Sequence, residues 1–255
     1  MITFNDIHHW IDCVDETEYF TFIGNSQLPQ TYTLNIMELE IVPLTEELNL
    51  LESIFDDYIE ELNLSYYSFA LPPNEGIPED LQTTLSQKQY GVAINQLMVL
   101  SPSNFQPTRY SHPTVQVQPI TAATLSQYLS LNNHIYREIA PDYVDEKIKE
   151  LTYYFENQEA IQLGAFLDNR LVGSMDIFPS SAGLEIDNFS VLDAYQHQGI
   201  GQKMQEWVID EAQKRHCPIF LLADVDDTAI EMYKRQGYQL TDYQISFNKK
   251  VDSNH

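Results

Sequence analysis

Basic residues are scarce in this chain of 255 residues: lysine and arginine number 13, against 38 aspartates and glutamates. The formal net charge is therefore −25 at pH 7. Binding to nucleic acids and to anionic membranes depends on clustered lysine and arginine, so this imbalance argues against both kinds of partner. A cationic small molecule, such as a protonated amine, would instead be attracted.

Cysteines, long apolar runs and an export signal are also scarce or missing. Only Cys13 and Cys217 occur, without the close spacing of metal ligands, which predicts a reducing compartment and no metal site. No apolar run approaches the length of about 20 residues that a membrane span needs. The first residues, Met1 to Asp6, have neither the basic nor the apolar segment of a secretory signal. These absences predict a cytoplasmic protein without membrane partners.

A proline-rich segment at residues 101–113 divides the chain. Three prolines among polar neighbours are unfavourable for a helix or a central strand and are typical of a linker. We therefore predict an acidic, non-catalytic α+β domain over residues 1–113 and a second domain over residues 114–255. The helix–strand–helix–strand order of residues 45–100 parallels the last part of the second domain, which indicates either a degenerate repeat of it or an unrelated α+β domain.

Hydrophobic periodicity predicts alternating strands and helices along both domains. In the second domain the predicted strands are 115–120, 161–167, 171–178, 184–191, 218–223 and final strands through Phe247, and the predicted helices are 121–139, 142–157, 200–215 and 228–236. In the first domain the predicted helices are 45–63 and 79–89, and the predicted strands are 66–71 and 92–100. This order predicts an α/β fold with a mixed sheet.

The segment Gln196-His197-Gln198-Gly199-Ile200-Gly201 lies between a predicted strand and a predicted helix. Its two glycines allow a tight turn and a close approach of the main chain to a ligand. The first amides of the following helix have no acceptor within that helix, and the helix dipole favours negative charge there. The segment therefore predicts a site for a diphosphate.

This pattern, Gln-x-x-Gly-x-Gly between strand and helix, resembles the acyl-CoA signature of the GNAT acyltransferases. A later segment, Asp226 to Tyr238, resembles a second landmark of the same family and carries Tyr233 at the family's tyrosine. The resemblance covers residues 115–250, roughly half of the chain. It implies the GNAT fold in the C-terminal domain, beside a smaller N-terminal α+β domain that is either a degenerate GNAT-like repeat or unrelated. It also implies direct transfer of an acetyl or similar short acyl group from acetyl-CoA to an amine in a ternary complex.

The resemblance further implies contacts with coenzyme A. The pantetheine would pair with the main chain of Phe189, Ser190 and Val191. The residues whose main chain would meet the diphosphate are His197, Gln198, Gly199, Ile200, Gly201 and Gln202. Gln196 stands where the family commonly has arginine, and Asp226 where it usually has an asparagine that contacts CoA. An ionised aspartate cannot donate a hydrogen bond, which puts the contact of Asp226 in doubt.

Two side chains are predicted to transfer protons. By the resemblance, Glu185 is the candidate base, and strand alternation would place it on one face with Asp187 and Phe189. Asp187 and Asp224 are alternative bases. By the resemblance, Tyr233 is the acid that protonates the departing thiolate.

Other functions remain compatible with these residues. One is a non-catalytic module that binds or senses acyl-CoA. Another is a nucleotide-binding enzyme that uses the same turn, with Asp224 for a ribose, although the landmark around Tyr233 would then be unexplained. The amine acceptor, whether a small molecule or an amine of a peptide or protein, is not specified by the sequence, and a homodimer is possible.

Overall fold

A computed structural model describes residues 1–107, 110–226 and 229–251. Residues 108–109 of the predicted linker and 227–228 at the start of the predicted last helix lie outside the described residues. In the described ranges, no helix has both the length and the hydropathy that crossing a membrane requires.

The described residues form both strands and α-helices around a mixed sheet, which confirms the predicted α/β class. The strands are β1 (Cys13–Glu16), β2 (Phe20–Gly24), β3 (Ile36–Leu39), β4 (Tyr66–Ala70), β5 (Gly91–Leu100), β6 (Gln116–Pro119), β7 (Ile161–Leu167), β8 (Arg170–Pro179), β9 (Leu184–Val191), β10 (Ile219–Asp224) and β11 (Gln239–Lys250). The helices are α1 (Leu48–Leu62), α2 (Glu79–Gln87), α3 (Leu125–Ile139), α4 (Val144–Asn157), α5 (Ile200–Arg215) and α6 (Ile230–Gln236).

The chain forms two compact units. The larger unit comprises Met1–His8 and Leu97–Thr241, and the smaller unit comprises His9–Gln96 and the chain from Asp242 onward. The unit boundaries thus fall inside β5 and β11. The division into domains 1–113 and 114–255 stays a prediction, because a compact unit need not coincide with a domain.

In the larger unit, the strand order is β5-β10-β9-β8-β7-β6. β10 and β9 are parallel, and the pairs β9–β8, β8–β7 and β7–β6 are antiparallel. An apolar cluster that includes Ile186, Met204 and Val208 packs α5 against the sheet. Side chains alternate between the two faces of a sheet along each strand, and Asp176 of β8 faces away from this cluster. It accepts a hydrogen bond from Tyr128 of α3, so α3 lies on the other face of the sheet. The sheet is thus covered on both faces.

In the smaller unit, the strand order is β1-β2-β3-β4-β11-β5. β3 and β4 are parallel, whereas β1–β2, β2–β3 and β4–β11 are antiparallel. The core is aromatic, with Phe22, Phe55, Phe69 and Phe247 fully buried. Burying one phenylalanine contributes roughly 1.5–3 kcal/mol, so these rings supply much of the stability of this unit.

Strand 184–191 and helix 200–215 begin and end where the sequence predicts them. Backbone conformation explains why the helix has these bounds. Gly199 (φ +79°) precedes the helix and His216 (φ +54°) follows it. Both residues have a left-handed backbone conformation, which does not continue a right-handed helix. The predicted turn for a ligand therefore lies at a sharply defined helix N-terminus.

Candidate functional site

Strand β9 leaves its parallel partner after a short pairing. Residues 184–186 of β9 pair with residues 219–221 of β10. Beyond Ile186 no pairing joins these two strands, both of which the structure describes in full. The carboxyl half of β9 therefore has main-chain groups on its β10 side that are not used in the sheet, as a ligand that adds to a strand requires.

A β-bulge interrupts β9 at the same level. On the β8 side, Ser190 pairs with Ser174 and Asp187 pairs with Asp176, so Asn188 and Phe189 together lie opposite one residue of β8. Asn188 has a φ of +49°. As a result, Phe189 packs with the apolar cluster of Ile186. The prediction that Phe189 shares a face with Glu185 and Asp187 is therefore wrong, because the extra residue reverses the alternation.

The turn that follows β9 has two residues in the left-handed region, His197 (φ +58°) and Gly199 (φ +79°). A Cβ atom on Gly199 would lie 2.9 Å from the main-chain nitrogen of His112 and from Tyr110. This glycine is thus required both by the turn and by the segment 110–112 that packs against it. Gly201 is close to a ring, since a Cβ there would lie 3.2 Å from Phe189.

Two glutamines fix the shape of this turn. The side-chain amide of Gln196 donates to the main-chain oxygen of Val191 (3.0 Å) and to Asp193 (2.8 Å). The amide of Gln198 donates to the main-chain oxygen of Ala194 (3.0 Å). The side chain of Gln196 therefore stabilises the loop itself.

A cavity of about 1090 Å³ opens beside the turn and the end of β9. The predicted site residues that line it are Phe189, Ser190, Val191, Gln196, His197, Gly199, Ile200, Gly201, Gln202 and Tyr233. The structure thus brings together the end of β9, the first turn of α5 and the tyrosine of α6. Glu185, Gln198 and Asp226 are not part of this lining.

Tyr233 enters the cavity from α6 and is mostly buried. Its ring makes an edge-on contact with the ring of Tyr238, with 5.4 Å between the ring centres. This packing orients the side chain, because it leaves the ring few alternative positions. A phenolic hydroxyl held in this way can donate a proton to a group bound in the cavity.

Glu185 is covered by the N-terminal segment of the larger unit. Its side chain is 5% exposed, and its carboxylate accepts a hydrogen bond of 2.7 Å from the main-chain amide of His8. Burial raises the pKa of Glu185 to about 8, and the charge of Asp187 acts in the same direction, while the amide of His8 opposes them. Asp187, two residues further along β9, is exposed. The two carboxylates therefore differ strongly in their access to water.

The other acidic candidates lie in the turn after β10. The main-chain amide of Asp226 donates to the carboxylate of Asp224 at 2.8 Å. Asp226 is exposed. Asp224 thus has a local function in the turn, which makes it a weaker candidate for the base than Glu185.

Coenzyme A fits this site on two observations. Residues 196–202 carry no acidic side chain and end in the first turn of α5, where main-chain amides and the helix dipole favour an anion. The cavity, of about 1090 Å³, is also slightly larger than the usual range for ligand sites, roughly 300–1,000 Å³, which suits a long ligand. The residues predicted to hold coenzyme A are therefore compatible with it.

Several residues that line the cavity were not singled out by the sequence, among them two arginines and a tyrosine. Arg170 begins β8, Arg235 lies in α6, and Tyr110 belongs to the proline-rich segment. Both arginines are exposed, and they place positive charge at this cavity beside its acidic lining residues Glu138 and Asp193. Arg235 lies inside the second landmark and could have been found from it, whereas Arg170 and Tyr110 have no sequence signal.

Comparison with protein families separates the two parts of the chain. Residues 127–238 match the sequence model of the acetyltransferase (GNAT) family. Residues 2–98 match that of a domain of unknown function, DUF5613. No protein of curated function matches the chain.

Solved structures resemble nearly the whole chain. A functionally unknown conserved protein from Staphylococcus epidermidis is 25% identical, with a TM-score of 0.89 over 98% of both chains. A GCN5-related N-acetyltransferase from Sphaerobacter thermophilus is 12% identical, with a TM-score of 0.62 over 92% of this chain and 82% of that one. A tandem GNAT protein from the clavulanic acid biosynthesis pathway is 8% identical, with a TM-score of 0.57 over 92% of this chain and 79% of that one. The last two show similarity of fold.

Proposed function

Because residues 127–238 match the sequence model of the acetyltransferase (GNAT) family, we propose that this protein transfers an acetyl or similar short acyl group from acetyl-CoA to an amine. One observation carries the proposal: Tyr233, the end of β9 and the first turn of α5 line the same cavity. An acyl transferase needs these three elements together, to protonate the leaving thiolate, to hold the donor and to bind its diphosphate.

The residues of the chain would divide the binding of the donor between them. Bound acetyl-CoA would supply the acyl group as a thioester. The main-chain amides of residues 197–202 would bind its diphosphate, and the main chain of Phe189 to Val191 would bind its pantetheine and polarise the acyl carbonyl. Asp226, which is exposed and outside the cavity lining, would contribute little to binding.

Proton transfer would involve Glu185 and Tyr233. A primary amine with a pKa near 10.4 costs about 4.6 kcal/mol to deprotonate at pH 7, so a base is useful. Glu185, with its pKa raised to about 8, can accept that proton in its ionised form, whose share grows as the pH approaches 8. Because Glu185 is buried and outside the cavity lining, the proton would have to reach it through water. Asp187, which is exposed, lies between Glu185 and the bulge along β9. Tyr233 would donate its proton to the departing thiolate.

A non-catalytic module that binds or senses acyl-CoA is the second candidate. The burial of Glu185 beneath His8 favours it, because a covered base is poorly placed to meet an acceptor. The glutamine at position 196 is also compatible with binding alone. A cytoplasmic location and a homodimer stay predictions from the sequence under either function.

Two measurements separate these functions. Thermal unfolding with and without CoA and acetyl-CoA tests binding, and release of free thiol from acetyl-CoA over a panel of small amines, polyamines and peptide amines tests transfer. We expect stabilisation by both ligands and thiol release with at least one amine. Binding without thiol release on any acceptor would support the module, and absence of binding would contradict both functions.

A further inference from the structure

Asn188 holds the bulge of β9 in a conformation that most residues avoid. Its φ of +49° lies in the left-handed region, which costs an ordinary L-residue roughly 1–2 kcal/mol and which asparagine tolerates better than most. Such conformations persist only where the surroundings hold them, and they are common at functional sites. The bulge lies directly before Phe189 and Ser190, which line the cavity.

The side-chain amide of Asn188 is hydrogen-bonded on both sides. Its nitrogen donates to the carboxylate of Asp176 (3.1 Å), to the amide oxygen of Asn132 (2.9 Å) and to the hydroxyl oxygen of Tyr128 (3.4 Å). Its oxygen accepts from the hydroxyl of Tyr136 at 3.1 Å. This one side chain therefore ties the bulge to β8 and to α3.

The partners of Asn188 are themselves rigidly held. Tyr128, Asn132 and Asp176 are almost completely buried, and the hydroxyl of Tyr128 donates to Asp176 at 2.5 Å. The amide of Asn132 donates to the main-chain oxygen of Tyr128 at 3.0 Å. A buried carboxylate is costly to maintain for stability alone, since an apolar pair of similar volume is often as stable. A polar network at this position is better explained by the geometry that it imposes on β9.

We infer that Asn188, held by Asp176 and Tyr128, is a positioning residue that fixes the main chain of Phe189 and Ser190 toward the acyl carbonyl of the donor. This inference rests on the proposed function. The side chain of Asn188 contacts α3 and β8 and is not part of the cavity lining, so it acts through the backbone that follows it. Loss of its anchors would therefore change recognition of the carbonyl more than binding of the rest of coenzyme A.

The test uses two ligands that differ at the carbonyl, acetyl-CoA and S-ethyl-CoA, a thioether without the carbonyl oxygen. Their dissociation constants are measured by calorimetry on the full chain. A single main-chain hydrogen bond to the carbonyl oxygen should make the wild type bind acetyl-CoA about fivefold more tightly than S-ethyl-CoA. In Asn188→Gly, which accepts a positive φ but has no side chain to anchor it, we expect this preference to disappear while the affinity for S-ethyl-CoA stays unchanged.

Asn169→Gly is the matched control, because Asn169 also has a positive φ (+64°) and is exposed in the turn between β7 and β8. It should keep the fivefold preference. Asp176→Asn is the second variant, for use where Asn188→Gly does not fold. It offers one acceptor oxygen to two donors, Tyr128 and Asn188, and should also reduce the preference.

The outcomes distinguish the inference from the proposed function. A folded Asn188→Gly that keeps the preference of the wild type would overturn the inference, and so would a wild type that binds both ligands equally. A wild type that binds neither ligand would overturn the proposed function as well.

Discussion

The main-chain amide of His8 donates a hydrogen bond of 2.7 Å to the carboxylate of Glu185. The ring of His8 stacks on the ring of Phe178 at 4.1 Å between centres and meets the edge of Tyr154 at 5.3 Å. These contacts cover Glu185 with protein, and the loss of water raises the pKa of its carboxyl to about 8. The N-terminal segment thus sets the protonation behaviour of a residue on the central strand of the site.

Replacing Glu185 by glutamine should change how the stability of the protein depends on pH. In the wild type, the folded state keeps a proton on Glu185 up to a pH of about 8, whereas the unfolded chain loses it near pH 4.5. The wild type should therefore lose stability as pH rises from 4.5 to about 8, by up to about 1.4 kcal/mol for each pH unit. Glu185→Gln removes this loss and can still accept from His8, so its stability relative to the wild type should rise over that window.

Urea unfolding at pH 5, 7 and 9 measures this difference. Glu231→Gln is the control, because Glu231 is 69% exposed and pairs only at the surface with Lys234. Its stability relative to the wild type should vary much less with pH. A constant difference between Glu185→Gln and the wild type would show that Glu185 titrates normally in the folded protein.

The same carboxyl should control the pH dependence of transfer. If Glu185 is the base, kcat/KM should rise with pH and level off above about 8, because only the ionised form accepts a proton. If deprotonation of the amine substrate alone limited the reaction, kcat/KM would continue to rise toward pH 10. Glu185→Gln should lower kcat/KM by roughly 100-fold or more and remove the break near pH 8.

Asp187→Asn provides the comparison for this assignment. Asp187 is exposed, and its replacement should reduce the rate less. The break should remain but move below pH 8, because the charge of Asp187 contributes to the raised pKa of Glu185. If Asp187→Asn removes the activity and Glu185→Gln does not, the base is Asp187.

Replacing Gly199 by alanine should weaken both the fold and the binding of coenzyme A. The new Cβ would meet main-chain atoms of His112 and Tyr110 at 2.9 Å, and the φ of +79° is unfavourable for alanine by about 1–2 kcal/mol. We expect at least that loss in the free energy of unfolding and a higher dissociation constant for CoA. Gly76→Ala is the control, because nothing lies within 4 Å of the added atom. Equal effects of the two substitutions would contradict the structure of the turn.

Local signals in the sequence were sufficient to predict the strand and the helix that border the cavity. Strand 184–191 and helix 200–215 have regular apolar periodicity, and a glycine defines the boundary between them. β1, β2 and β3 were not predicted. They have only four or five residues each, and their strand character depends on pairing with other strands, which periodicity over so few residues cannot reveal.

Contacts between distant residues account for what the sequence could not predict at the site. The burial of Glu185 depends on His8, and the requirement for Gly199 depends on residues 110–112. The bulge at Asn188 reverses the face of Phe189 although the sequence of β9 alternates regularly enough for a plain strand. Residue types alone therefore indicated the chemistry of the site, but not which carboxylate is covered or which way the strand turns.

Tyr233→Phe separates the proposed acid from its packing role. Phenylalanine keeps the ring and its contact with Tyr238 but has no hydroxyl, so the fold and the affinity for acetyl-CoA should be preserved. Turnover should fall by roughly 100-fold or more, because the thiolate would leave without a proton from the protein. Calorimetry with acetyl-CoA and thiol release with an active amine measure the two effects.

Tyr238→Phe is the matched control for this substitution. The hydroxyl of Tyr238 donates to the side-chain oxygen of Gln205 at 2.9 Å, and both side chains are buried. Its removal leaves that oxygen without this donor and should lower stability by about 1–3 kcal/mol while turnover of the folded protein stays close to that of the wild type. The pair thus contrasts a tyrosine that lines the cavity with one whose hydroxyl stabilises the core. Unchanged turnover in Tyr233→Phe would exclude Tyr233 as the acid, and the thiolate would then have to take its proton from water or from the acceptor amine.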